Sequence, residues 1–182
     1  MNGLIGESGG SGLDISGWLP EEVEHIMPDY SLYDMDFSMG YATRGCPRHC
    51  PWCIVPYKEG DIKAWAEVRE FYNPAFSRML LLDNNTLAAP NAKETLEDLA
   101  GLPVEVDINQ GLDIRLLTDE FIYLLKQIRT KVLRFAFDSM GVERFVKLGI
   151  EKLLKAGFNK RHLSFYVLVG FPSYNAYVLI LW

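Results

Sequence analysis

The three cysteines of this chain fall within eight residues, as Cys46, Cys50 and Cys53. An odd number cannot pair off into disulfides, and chance would scatter three cysteines along the chain, so the spacing asks for a chemical reason. Thiolates are soft ligands suited to zinc or to iron–sulfur clusters. A structural zinc site is closed by four protein ligands. His49 is a fourth candidate, but it adjoins Cys50, and two neighbouring side chains converge poorly on one tetrahedral ion. Nothing in the sequence directs His25 or His162 to the same place. A cubane held by three cysteines leaves one iron open, and an open metal position marks catalysis rather than structure. The residues therefore predict a [4Fe–4S] cluster on Cys46, Cys50 and Cys53, with a zinc-stabilised binding module as the alternative.

The elements that must position this loop alternate along the chain. Period-two and continuous apolar runs predict strands over 37–43, 78–84, 104–109, 132–137 and 163–169. Between them the pattern predicts helices over 63–72, 91–100, 118–129 and 142–156. Thr118 is placed to cap the third of these helices and Gly157 to end the fourth. Earlier, 20–27 reads as a short helix with Pro20 at its start and acids near its positive end, and 28–31 as a turn. Repeated β–α units imply a parallel sheet with right-handed crossovers. Five units are too few to close an eight-stranded barrel, so the expected fold class is α/β, an open partial (β/α) barrel. The cysteines then follow the first strand, where the loops at strand C-terminal ends build active sites.

With these residues in place, the chain resembles the radical S-adenosylmethionine (radical SAM) superfamily. Cys46-x3-Cys50-x-aromatic-Cys53 is that superfamily's signature, with Trp52 in the aromatic slot. The resemblance implies that the three cysteines hold three irons and that S-adenosyl-L-methionine chelates the fourth. An electron from a donor such as flavodoxin or ferredoxin would then yield methionine and a 5′-deoxyadenosyl radical, which abstracts hydrogen from a substrate. Other positions carry the likeness residue by residue. Asp83-Asn84-Asn85 stands where relatives hold the methionine amine; Asp83 either meets the ammonium or is a plain turn residue. Asn109, Gln110 and Arg115 would reach ribose and carboxylate, Arg115 through its forked donors. Asp138 with Ser139 ends the fourth strand, and Gly170 in Val169-Gly170-Phe171-Pro172 ends the fifth, near adenine. The superfamily's signature does not specify a substrate.

The resemblance covers 36–172. Residues 1–35 are similar to the linker that follows a cobalamin-binding-like domain, without an Asp-x-His-x-x-Gly motif that would assign cobalamin. The tail 173–182 is apolar and lacks a helix pattern or stop signal, and reads as an extra strand or as the end of a fragment with an incomplete, inactive barrel. A net charge of −6 argues against a nucleic-acid partner, which wants a basic surface. The first residues show no basic n-region and no apolar h-region, and no apolar run reaches a membrane span, so the expectation is a cytoplasmic protein away from membranes. Arg44, Arg48, His49 and Lys58 crowd the cysteine loop, where positive charge would stabilise thiolates; the alternative is a solvated basic turn.

Overall fold

The computed structural model describes residues 15 and 17–168. It is a mixed α/β fold with sheets of parallel strands and, among the described residues, no closed barrel. In chain order the elements are α1 (Glu21–Glu24), β1 (Ser38–Gly40), β2 (Thr43–Arg44), α2 (Val55–Lys58), β3 (Lys63–Ala64), α3 (Val68–Phe71) and β4 (Arg78–Leu81). They continue with α4 (Ala92–Gly101), β5 (Glu105–Ile108), α5 (Asp119–Gln127), β6 (Leu133–Phe137), α6 (Glu143–Lys155) and β7 (Leu163–Val167).

The body follows the alternation expected of it. β1, β4 and β5 pair in parallel in that order, with Met39 opposite Leu80 and Leu80 opposite Asp107. β6 and β7 form a second parallel pair, Phe135 opposite Phe165. Thr118 caps α5 by accepting from Phe121 N, and Gly157 follows α6 in the left-handed region. The apolar stripes of α4, α5 and α6 meet the strands in one core, where Leu96, Leu99, Leu125, Leu133, Phe135 and Leu153 are fully buried. Each such side chain contributes about 1.5–3 kcal/mol by leaving water. α6 approaches the turn after β5 so closely that a Cβ on Gly149 would sit 2.4 Å from Ile114 Cγ1.

Three departures from the sequence reading matter for the site. The first strand is not continuous over 37–43. It breaks after Gly40, and Thr43–Arg44 turns away to pair antiparallel with Lys63–Ala64. The cause is Asp83, whose carboxylate pulls in the amides of Ala42 and Thr43 at 2.8 and 3.0 Å. For the same reason 63–72 is not one helix. Trp65 N and Ala66 N bond to Ala42 O, and the helix starts only at Val68, where Glu67 and Glu70 form a reciprocal capping box. The single sheet is also interrupted. Between β5 and β6 the ladder reduces to one bridge, Leu112 to Phe135, beside the bond from Val106 N to Arg129 O. The segment 28–31 expected as a turn lies at a 3-10 helix, Tyr30–Tyr33, capped by Asp29. The tail 173–182 lies outside the described residues.

Candidate functional site

Parallel strands bring their C-terminal ends to one edge, and the candidate residues follow from that topology. The cysteine loop leaves β2; Asp83, Asn84 and Asn85 follow β4; Asn109 to Arg115 follow β5; Asp138 follows β6. Arg44 and Lys63 are paired at the base of the loop, and Cys46 N donates to Gly60 O at 3.2 Å just above it. Gly45 makes that closure possible. Its φ is +83°, and a Cβ there would lie 2.1 Å from Asp61 O. Inside the loop Cys53 N donates to Cys50 O at 3.0 Å, a tight turn across the Cys-x2-Cys spacing. All three cysteines are free thiols, half-buried.

The neighbours of these thiols come from separate strands. Asn85 is buried, and its Nδ2 donates to Cys46 Sγ at 3.6 Å. Burial pushes the Cys50 thiol up, Asp138, Cys46 and Cys53 push in the same direction, and Arg115 pulls against them. In the structure Cys46, Cys53, Arg115 and Asp138 all act electrostatically on Cys50. Trp52 is half-buried on the same loop, and Gln110 is exposed in the turn after β5. Gly170 lies outside the described residues.

Asp83 sits differently from the residues that face the thiols. It is fully buried, and three donors hold its carboxylate: Ala42 N, Thr43 N and Thr43 Oγ1, the last at 2.7 Å. Burial pushes it up to about 6 against the pull of those hydrogen bonds. It braces the turn from which the cysteine loop departs. Its neighbour Asn84 keeps a buried Nδ2 without a hydrogen-bond partner, at the end of the strand beside the loop.

The basic character expected of the loop is largely compensated. Arg44 is held by Glu59, and Arg48 reaches across to Asp113, Nε to Oδ2 at 2.9 Å. Asp113, like Glu59, is a residue that sequence reasoning missed. It is buried, caps the short 3-10 turn at Arg115 N, and also takes the Arg115 guanidinium in a two-pronged contact. Burial alone would raise its carboxyl, but Arg115 and Arg48 outweigh burial and hold it below the usual carboxylate range. The Asp-x-Arg spacing of 113 and 115 was the available signal, an Asx cap whose free oxygen can hold a nearby arginine. No protein-family model matches the chain, and no curated protein matches it.

Proposed function

We propose that this chain is a radical SAM enzyme core, a partial (β/α) barrel that holds a [4Fe–4S] cluster on Cys46, Cys50 and Cys53 and uses S-adenosyl-L-methionine. The observation that carries the reading is the joining of three free thiols on one closed loop with Asn85, Arg115 and Asp138 from three different strand ends. Among the described residues no three His, Cys, Asp or Glu side chains gather around a point where a single ion would sit. A cubane asks for no such point, because each thiolate takes a different iron. The donor set is wholly sulfur on the loop itself, with one N–H already directed at Cys46 Sγ, the kind of contact that tunes such a cluster.

When bound, the cluster and S-adenosyl-L-methionine supply one-electron cleavage of a sulfonium and hydrogen abstraction. The chain's own residues hold and orient. Arg115, fixed by Asp113 through Nε and Nη2, keeps other N–H groups that would hold an anionic group such as a carboxylate. Asn84 Nδ2 is a buried donor without a hydrogen-bond partner, and it would meet a polar atom of the cofactor. Asp138 places negative charge near Cys50, where a cofactor ammonium would be favoured. Asp83 serves this site indirectly, through the turn it braces. An electron donor such as flavodoxin or ferredoxin would complete the system. Among the described residues no helix is long and apolar enough to cross a membrane.

Anaerobic reconstitution of the full chain is expected to give about four irons per chain. Cys50→Ala is expected to lose them, and S-adenosyl-L-methionine to change the electron paramagnetic resonance spectrum of the reduced protein. One zinc per chain with no iron uptake would overturn the reading in favour of a zinc-stabilised module.

A further inference from the structure

We infer that Arg44 is the positioning residue of the cysteine loop, clamping its two ends through Glu59 and an aromatic box. The inference rests on the cluster reading above, because it assigns to Arg44 the task of keeping three thiolates in one arrangement. Arg44 stands two residues before Cys46 and is only 8% exposed. Its Nε donates to Glu59 Oε2 at 2.5 Å and its Nη2 to Glu59 Oε1 at 3.1 Å. Glu59 is itself 8% exposed and follows α2, immediately before Gly60, whose carbonyl receives Cys46 N. The two-pronged pair therefore joins positions 44 and 59, and all three cysteines lie between them.

The faces of the guanidinium are covered by rings. Its central carbon lies 4.6 Å from the centre of Trp18, 4.3 Å from Tyr41 and 5.4 Å from Trp65. Glu24 Oε2 lies 3.8 Å from Nη1. Trp18 and Glu24 come from the segment before β1, so the clamp also ties that segment to the cysteine loop. Only a flat, forked cation satisfies both demands at once, edge-on to a carboxylate and face-on to aromatic rings. Stability alone is a poor account of this arrangement. A buried ion pair can be replaced by apolar side chains at little net cost, whereas its geometry is directional and is lost with it. The pair sits where direction matters, at the closure of the loop that must present three sulfurs together.

The test compares the full-length wild type with the double variant Arg44→Leu/Glu59→Leu, which removes the two buried charges of the pair together so that neither is left facing the other's vacancy. Thermal unfolding followed by circular dichroism verifies folding. Each protein is reconstituted anaerobically, and iron release to a chelator is timed. Release from the double variant is expected to be about tenfold faster, the scale on which outer partners of metal ligands act. Release within about twofold of wild type in a folded double variant would overturn the inference. If the double variant does not fold, Arg44→Lys, which keeps the charge and loses the fork, takes its place under the same criterion. If the wild type binds no iron, the cluster reading falls by itself. Amide hydrogen exchange over the cysteine loop of the metal-free chain then decides: faster exchange in the variant supports the clamp, and unchanged exchange overturns it.

Discussion

Between Arg44 and Glu59 the chain is closed by charged and polar contacts, whereas from Ala92 to Lys155 it is held by apolar packing. The loop base combines a two-pronged ion pair, a two-residue ribbon and a glycine pressed against a carbonyl. The body combines fully buried leucines from α4, α5 and α6 with parallel strands beneath them. Burial is strong but without direction, so it fixes how tightly layers meet rather than where one sulfur points. Hydrogen bonds and ion pairs are weaker in net energy and strict in geometry. The molecule uses each where its property is needed.

The contrast can be broken most forcefully in the body. Leu125→Ala, at a fully buried position, is expected to cost about 2–5 kcal/mol in denaturant unfolding, while the pairing of loop to body survives below the transition. Next comes the brace beneath the loop. Because the Asp83 carboxyl is raised to about 6, the folded state retains a proton that the unfolded chain has lost above its ordinary value of 3.8. That contribution is present below pH 3.8, declines as pH rises, and is gone above about 6. Subtracting the stability of Asp83→Asn from that of wild type across this window is expected to reveal a fall on the order of 2–3 kcal/mol. A flat difference would remove Asp83 as the titrating brace.

Asp113→Ala tests the contact between loop and body. It frees Arg48 and Arg115 together, and an unfolding loss of about 1–3 kcal/mol is expected, with faster amide exchange in the cysteine loop. The smallest effect is expected from Asn85→Ala. A weak N–H to sulfur contact adds under about 1 kcal/mol to stability. On the reconstituted protein, however, loss of that donor is expected to lower the cluster's reduction potential, read by redox titration. An unchanged potential would leave Asn85 as a packing residue.

The sequence made the body legible because β4, β5, β6 and the three long helices are local patterns, each readable without knowing its neighbours. The cysteine loop was legible as chemistry, through ligand type and spacing, whereas Arg115 and Asp138 were named only through the family resemblance. What escaped was settled at long range. Nothing near Ala42 announces that Asp83, some forty positions on, will take its amide and break the first strand. Glu59 and the Arg48 contact of Asp113 escaped because the arginine partners stand fifteen and sixty-five positions away, Arg44 for the one and Arg48 for the other. The compensation of Arg44 and Arg48 escaped for the same reason, since each meets its acid only after the chain has folded.

The thinning of the ladder between β5 and β6 has a consequence for how the molecule comes apart. β1, β4 and β5 share a continuous hydrogen-bonded register, and so do β6 and β7, but among the described residues the two groups are joined by one ladder bridge, Leu112 to Phe135, and by side-chain contacts such as Arg134 to Asp107 and Tyr166 Oη to Asn109 O. Cooperative units of unfolding tend to follow such boundaries. The pair β6–β7 is therefore expected to open as one unit, and β1, β4 and β5, with the Asp83 brace that follows β4, as another. Opening of the first would expose Phe135 and the side of β5 while leaving Asp83, Arg44 and the loop they hold in register. In native-state exchange the amides of β6 and β7 would then lose protection together, at a lower free energy than those of β4.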